Sequence, residues 1–259
     1  MMSFPIWAQW AAIAGVQVAV WVPSSALQTE RFYDLTGAAT YIGVTLLSLK
    51  AHGSESWRHL AIAACELIWA GRLGVFLFSR VLSHEDVRFA KVKTRPMTFL
   101  IYWLVQALWI ATVNLPVALS LAYGNDASTT LSITDVVGLA LFAGGFLLEA
   151  VADSQKSQFK ANPSNKGRFI RHGLWSFVRY PNYLGEILLQ TGIAVFASGS
   201  GLEGVTRFLP FIGPAFVSWL LVRVSGIPLL EKIGEKRWGN DADWKRYTAT
   251  TSKLIPGLY

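Results

Sequence analysis

The sequence is short of charge and of cysteine. Only 15% of its 259 residues are charged and 53% are hydrophobic, whereas about a quarter of the residues are charged in a soluble globular domain. This shortage excludes an ordinary soluble domain and indicates a membrane protein. The single cysteine, Cys65, excludes an intrachain disulfide and a metal site of several thiolates, and we expect no metal centre.

The common nucleotide-binding and hydrolytic motifs are also missing. The chain has no P-loop, no H-E-x-x-H pair and no nucleophile elbow. Residues 199–204 match G-x-G-x-x-G literally, but no strand precedes them and no parallel-sheet unit surrounds them. A cofactor site must therefore be sought outside these motifs.

Seven apolar runs approach the ~20 residues that a helix needs to span a bilayer. They cover residues 4–21, 32–49, 57–78, 99–122, 133–152, 181–197 and 209–222. The second and sixth runs are short or polar at one end, so each could instead be re-entrant or packed inside the bundle. The sequence predicts an all-α, polytopic transmembrane helix bundle of about seven spans, forming a single membrane domain over residues 1–259.

The distribution of basic residues orients this bundle. With seven spans, eighteen Lys and Arg residues lie on the side of the carboxyl terminus and three lie on the other side. The positive-inside rule then predicts an outer amino terminus and a cytoplasmic carboxyl terminus. Because these charges are divided among membrane-flanking loops, we expect a lipid bilayer as partner and no nucleic acid. The membrane would be the endoplasmic reticulum in a eukaryote or the inner membrane in a bacterium.

Ionisable side chains within apolar runs are candidates for function, because each costs about 2.5–3.5 kcal/mol at the centre of a spanning helix. Those in this chain are Glu66, Arg72, Glu149 and Glu186. Several of them could simply pair with one another inside the bundle. Function and internal pairing therefore both stay open for this set.

Charged residues concentrate where the fifth run meets the cytoplasmic side. A helical stripe at i, i+4, i+7 and i+11 comprises Glu149, Asp153, Lys156 and Lys160. The following loop adds Lys166, Arg168, Arg171 and the nearby Arg179. Alternating charges are typical of a solvated helix end, but cations clustered around a turn also suit phosphate groups.

The segment RYPNYLGE, residues 179–186, begins the sixth run with polar side chains. Pro181 suits the first turn of a helix, which places Asn182 and Glu186 on one face. Their amide and carboxylate offer a donor, an acceptor and a charge to a planar, amide-bearing ring near the positive helix end. Alternatively, Asn182 caps the helix and Glu186 pairs with an arginine.

These residues resemble a known superfamily. The match rests on Asp153, Phe159, Lys160, Asn162, Gly173, Leu174, RYPNYLGE, Glu231 and residues 247–256. The chain is similar to the steroid 5-alpha-reductase-like superfamily over about residues 138–256, and closest to its uncharacterised branch with a steroid-reductase-type carboxyl-terminal domain. This resemblance implies a membrane oxidoreductase that uses NADPH to reduce an activated carbon–carbon double bond in a lipid or steroid-like substrate. Residues 133–259 would bind the cofactor, and residues 1–132 would form the substrate side.

The resemblance also implies roles for individual residues. Those expected to contact NADPH are Asp153, Lys160, Arg168, Asn182, Glu186 and Tyr247, with Arg72 and Arg80 approaching its phosphates. Asn182 and Glu186 would lie at the nicotinamide end. Arg171 and Arg179 are added to this set because they belong to the cationic loop, residues 166–179. Trp238 and Trp244, near Tyr247, could stack on the cofactor base or form an interfacial aromatic belt.

Two positions depart from the steroid reductase pattern. Trp69 stands where those enzymes carry a tyrosine three residues before the arginine of the third span, and Glu149 stands where they tend to have asparagine. A tryptophan cannot supply a phenolic proton, yet hydride addition to an enone needs an acid for the developing enolate oxygen. The candidate catalytic acids in this chain are Glu66, Tyr41 and Tyr102.

Two other functions fit parts of the same pattern. Membrane methyltransferases of the isoprenylcysteine type, which use S-adenosylmethionine, have a cofactor segment similar to residues 179–185. A bundle that kept the fold as a lipid-binding or structural subunit is the other alternative, and Trp69 favours it. The sequence identifies no protein partner.

Overall fold

The computed structural model describes residues 4–52, 56–83, 89–124 and 130–258. These residues form ten α-helices and no strand, apart from an isolated parallel bridge between Val178 and Ser252. The helices are α1 (Ile6–Ala26), α2 (Tyr33–His52), α3 (Trp57–Ser83), α4 (Pro96–Val113), α5 (Leu115–Tyr123), α6 (Ile133–Ala161), α7 (Pro181–Ser198), α8 (Ile212–Trp219), α9 (Ile227–Trp238) and α10 (Ala242–Thr250). The all-α prediction is confirmed for the described residues.

Five helical segments of the described chain are long and apolar enough to cross a membrane. They are α1, residues Trp57–Ser79 of α3, α4, α6, and the segment Gly204–Trp238, which contains α8 and α9. Helices α2 and α7, with 20 and 18 residues, are not in this group. The five segments support a polytopic membrane protein, whereas the count of seven spans and the orientation of the termini stay predictions.

The chain divides into two compact units. The first unit comprises Met1–Val136 and Ile193–Gly213, and the second comprises Val137–Gly192 and Pro214–Tyr259. In the first unit, α2 packs against α3, and α1 packs against α4.

A proline divides the fourth apolar run, for which the sequence predicts one span over residues 99–122. Helix α4 ends at Val113, and α5 begins directly afterwards with Pro116 in its first turn. Proline has no backbone N–H, so it is tolerated in a first turn and breaks a helix interior. Asn114 at the junction makes no side-chain capping hydrogen bond, and its amide can therefore reach a partner in the core.

A buried ion pair in the first unit joins α3 to the start of α6. Arg58 Nε and Nη2 donate to the two carboxylate oxygens of Asp135 at 2.8 and 2.7 Å. Arg58 is 2% exposed and Asp135 is fully buried. Arg58 Nη2 also donates to the Thr130 carbonyl, and the Ser132 N–H donates to Asp135 Oδ2 at 2.7 Å. The charges of Arg58 and Asp135 are therefore well satisfied.

We expect Arg58→Gln to lower the free energy of unfolding by about 3–5 kcal/mol, because it leaves the Asp135 carboxylate buried without its counter-ion. Thermal and denaturant unfolding of the detergent-purified protein would measure this loss. The matched control is Arg207→Gln, at an exposed position. Equal effects of the two substitutions would contradict a stabilising role for the pair.

Candidate functional site

Helices α6 and α7 approach each other closely in the second unit. A Cβ added at Gly185 would lie 2.6 Å from the Glu149 backbone nitrogen and 2.7 Å from the Gly145 carbonyl oxygen. A Cβ added at Gly145 would lie 2.5 Å from the Leu189 backbone nitrogen. Because backbone atoms leave no room for a side chain, only glycine permits this α6–α7 crossing.

The crossing brings polar side chains of both helices together. Asn182 Nδ2 on α7 donates to Asp153 Oδ1 on α6 at 3.2 Å. One turn further along α7, Glu186 Oε1 accepts a hydrogen bond from Gln190 Nε2 at 3.0 Å. Asp153, Glu186 and Glu149 are all buried. The structure thus brings together three of the residues predicted to contact the cofactor, which are Asp153, Asn182 and Glu186.

The cationic loop connects the carboxyl end of α6 to the start of α7. The Asn162 side chain accepts from Ser164 N at 3.0 Å, and Gly167 and Gly173 adopt positive φ values of 82° and 61°. Lys160, Lys166 and Arg168 are exposed. Neither Lys166 nor Arg168 forms an ion pair with another described residue, so their charges remain available to an anion.

The other two loop arginines contact carboxylates of the second unit. Arg179 is buried, and its Nη1 donates to Glu231 Oε1 and Oε2 at 2.9 and 2.8 Å. The Tyr180 hydroxyl donates a hydrogen bond to the same carboxylate. Burial is the larger cause and this contact the second cause that raise the pKa of the phenol above its usual value. Arg171 pairs with Asp243 at 2.9 Å and holds the pKa of that carboxyl below its usual value. Contacts of Arg171 and Arg179 with a cofactor stay predictions, and the structure shows what such contacts would compete with.

The Tyr247 side chain packs within the carboxyl-terminal helices α9 and α10. Its hydroxyl donates to the Trp175 carbonyl oxygen at 2.6 Å, and burial raises the pKa of the phenol above its usual value. Its ring centroid lies 5.5 Å from that of Phe169, which also packs edge-on against Trp244 at 5.0 Å. Trp238 Nε1 donates to the Gly167 carbonyl at 2.6 Å. The aromatic side chains of α9 and α10 therefore pack on one another and on the cationic loop.

Glu66, a candidate catalytic acid, lies in a buried polar network of the first unit. Asn114 Nδ2 donates to its Oε1 and Oε2 at 2.9 and 3.0 Å, and Thr45 Oγ1 donates to Oε2 at 3.2 Å. All three residues are buried: the exposed fraction is 2% for Glu66, 3% for Asn114 and 0% for Thr45. The helix break before Pro116 supplies the amide that holds this carboxyl group.

Tyr41 lies on α2 one helical turn from this network, and Tyr102 lies on α4. The Tyr41 ring packs edge-on against Trp69 and Trp109, with centroids 5.2 and 5.4 Å away. Since Tyr41 precedes Thr45 by four residues, its layer lies about 5–6 Å along α2 from the Glu66 layer. Tyr102 is 37% exposed on α4 and packs against Phe89. Tyr41 is therefore closer than Tyr102 to the buried carboxyl group.

Two arginines of α3, Arg72 and Arg80, were predicted to approach the cofactor phosphates. Arg72 lies on α3 in the first unit, and the side chain of Arg80 lies outside the described residues. Their approach to the cofactor phosphates stays a prediction. The sequence does not predict site roles for Gln190, Asn114 and Thr45, because an uncharged side chain within an apolar run gives no signal of a site.

A family model identifies the group of proteins to which this sequence is similar. The model, described as a protein of unknown function (DUF1295), matches residues 20–251. No solved structure gives a significant match.

Curated relatives include two kinds of enzyme name. "Probable O-methyltransferase ustE" of Ustilaginoidea virens is 32% identical over 126 residues, 46% of this chain and 41% of that protein. "Delta(14)-sterol reductase erg24B" of Aspergillus fumigatus is 26% identical over 159 residues, 48% of this chain and 30% of that protein. "Probable 7-dehydrocholesterol reductase" of Acanthamoeba polyphaga mimivirus is 25% identical over 171 residues, 58% of this chain and 36% of that protein.

The chain spans less than half the length of these three relatives. Two of these proteins are named as reductases and one as a probable O-methyltransferase, which agrees in part with the resemblance found in the sequence. The assignment to the steroid 5-alpha-reductase-like superfamily stays a prediction.

We expect Gly185→Ala to destabilise the protein by about 1–3 kcal/mol, because the added methyl group forces the α6 and α7 backbones apart. The matched control is Gly144→Ala on α6, where an added Cβ meets no atom within 4 Å. That change should be neutral or stabilising by about 0.5–1 kcal/mol, since alanine favours a helix. Thermal unfolding of both variants measures the difference, and a Gly185→Ala protein as stable as Gly144→Ala would contradict the close crossing.

Proposed function

We propose that this chain, which belongs to the family of proteins of unknown function DUF1295, is a membrane oxidoreductase that uses NADPH to reduce a carbon–carbon double bond in a lipid. The observation that carries the proposal is the cluster of Asp153, Asn182 and Glu186 at the α6–α7 crossing, in which both carboxylates are buried. The sterol reductases among the relatives support the reaction class.

The donor set of the second unit fits NADPH. Buried carboxylates on α6 and α7 can accept hydrogen bonds from a carboxamide or ribose hydroxyl, and the Asn182 amide can donate and accept. The exposed cations Lys166 and Arg168 offer charge to phosphates, and the loop that carries them ends at α7. Carboxylates next to the amide and cations on the loop match the two chemically different ends of a nicotinamide dinucleotide.

Each part of this set would have its own task. When bound, the cofactor supplies a hydride. The Asp153 carboxylate orients the Asn182 amide, and Glu186 holds the ring's carboxamide on the same face of α7. Burial of these groups excludes water, which strengthens their hydrogen bonds. Lys166 and Arg168 bind phosphate oxygens and favour NADPH over NADH.

The acid that protonates the substrate is a separate assignment. Glu66 is buried and hydrogen-bonded, and Tyr41 lies one turn away beside Trp69, the residue that replaces the expected tyrosine. A phenol at Tyr41 next to the Trp69 ring offers a proton donor near the position where the superfamily has one. The exposed Tyr102 fits this task least well.

A methyltransferase is the second candidate function. The relative named as a probable O-methyltransferase is 32% identical over 126 residues, and the RYPNYLGE segment is similar to that class as well. In that case the same residues of the second unit would bind S-adenosylmethionine, which has no phosphate for Lys166 and Arg168.

The ligand that stabilises the folded protein distinguishes these functions. We expect NADPH to raise the melting temperature of the detergent-purified chain, NADH to raise it less, and S-adenosylmethionine to leave it unchanged, because only a ligand bound by the folded state stabilises it. A rise with S-adenosylmethionine alone would support the methyltransferase. No rise with any of the three would contradict both enzymatic functions.

Asn182→Ala and Glu186→Gln should each lower NADPH affinity roughly tenfold to hundredfold, the consequence of losing a charged hydrogen bond of about 1.5–3 kcal/mol. When no ligand is present, Glu186→Gln should melt close to the parent temperature, whereas Asn182→Ala should melt somewhat lower because it removes the hydrogen bond to the buried Asp153 carboxylate. The matched control is Glu203→Gln, an exposed glutamate of the first unit. A Glu186→Gln protein that melts early yet keeps the full NADPH-induced rise would assign Glu186 to internal pairing and contradict its role in binding.

A further inference from the structure

The cationic loop is attached to helices α9 and α10 on either side of Arg168. Trp238 Nε1 on α9 donates a hydrogen bond of 2.6 Å to the Gly167 carbonyl oxygen. After Arg168, the Phe169 ring packs edge-on against Trp244 of α10, with ring centroids 5.0 Å apart. These residues all belong to the second unit. The backbone that carries Arg168 is therefore held both before and after this residue.

Lys166 lies between two further fixed positions of the loop. Asn165, the residue before it, donates from Nδ2 to the carbonyl oxygen of Phe159 on α6 at 2.9 Å. Gly167, the residue after it, has a φ of 82°, a left-handed conformation that glycine adopts without steric cost. The carbonyl oxygen that Trp238 binds thus belongs to a residue whose conformation favours glycine.

The two cations themselves face solvent from this fixed backbone. Lys166 and Arg168 are exposed, and neither forms an ion pair with another residue that the structure describes. An ammonium and a guanidinium two residues apart suit the oxygens of a phosphate group. Holding their backbone in place before the anion arrives lowers the entropy that is lost on binding.

We propose that Trp238 is a positioning residue for phosphate binding. Its indole N–H holds the Gly167 carbonyl oxygen and thereby keeps Lys166 and Arg168 in the arrangement that binds a phosphate group. The indole itself does not touch the ligand. This inference rests on the proposed function, which assigns phosphate oxygens to the two cations.

Calorimetric titration of the full chain in detergent with inorganic pyrophosphate tests the proposal. Trp238→Phe keeps an aromatic ring and removes the N–H, so it should bind pyrophosphate roughly three- to tenfold more weakly than the parent. The matched control is Trp244→Phe, because the Trp244 N–H donates to Glu235 of α9 at 3.2 Å and not to the loop. This control should bind pyrophosphate as tightly as the parent.

Two glycines provide a second matched pair, because alanine strains both in the same way. Gly167 and Gly257 have φ values of 82° and 83°, and an added Cβ meets no atom within 4 Å at either position. Both Gly→Ala substitutions should therefore lower the melting temperature by similar amounts. Only Gly167→Ala, which disturbs the residue that Trp238 binds, should also weaken pyrophosphate binding.

Two lysine substitutions establish whether the anion binds at the loop. Lys166→Gln should bind pyrophosphate roughly tenfold or more weakly, because it removes one of the two charges. Lys232→Gln, at an exposed position of α9, should bind it like the parent. Equal affinities of these two variants would place the anion elsewhere and overturn the proposal.

The preference for NADPH over NADH gives a readout that a purely structural role of Trp238 does not change. A substitution that only loosened the fold would weaken both cofactors alike. Trp238→Phe should instead weaken NADPH more than NADH, because only NADPH carries the additional ribose phosphate.

Three results would overturn the proposal: a parent that binds no pyrophosphate, a Trp238→Phe protein that binds it as tightly as the parent, or an equal loss in Trp244→Phe. The proposed function fails separately. A parent that binds pyrophosphate as expected but shows no NADPH-induced rise in melting temperature contradicts the reductase and leaves the positioning role standing. A parent stabilised by NADPH, with an unchanged cofactor preference in Trp238→Phe, contradicts the positioning role alone.

Discussion

The structure depends on one constraint, which is that each charged group buried in an apolar bundle needs a partner. An isolated charge in a low-dielectric interior is strongly unfavourable, and paired or hydrogen-bonded charge is tolerated. Arg58 meets Asp135, Glu66 meets Asn114 and Thr45, and Asn182 meets Asp153. These partners come from helices distant in sequence, so the polar contacts determine which helices lie together inside each unit.

The helices were largely predictable from the sequence, whereas their partners were not. Each long helix of the described residues coincides with a predicted apolar run of about twenty residues, because length and hydropathy are local properties of the sequence. The fourth run was predicted as one span, and the structure divides it at Pro116. Proline in an apolar run is itself a signal of a helix start, because it is tolerated in the first turn and not in the interior. The binding of Glu66 by Asn114 depends on tertiary packing and could not be derived from either segment alone.

The candidate site shows the same division. The helical spacing of Asn182 and Glu186 predicted a shared face, and the crossing near Gly185 shows why Asp153 lies opposite that face. Arg179 was predicted as a cofactor contact for its charge and Tyr247 from the resemblance. The structure gives each a partner in the second unit, Glu231 and Trp175, and their contacts with a cofactor stay predictions.

The buried pair of Arg58 and Asp135 also bears on how the chain is made. Asp135 follows Arg58 by 77 residues, so the ribosome completes α3 well before the partner of its arginine exists. Until residue 135 has been made, the Arg58 guanidinium lacks the carboxylate that it pairs with in the folded protein. The first unit also contains Ile193–Gly213, so its last segment is made only after this pair has both of its members.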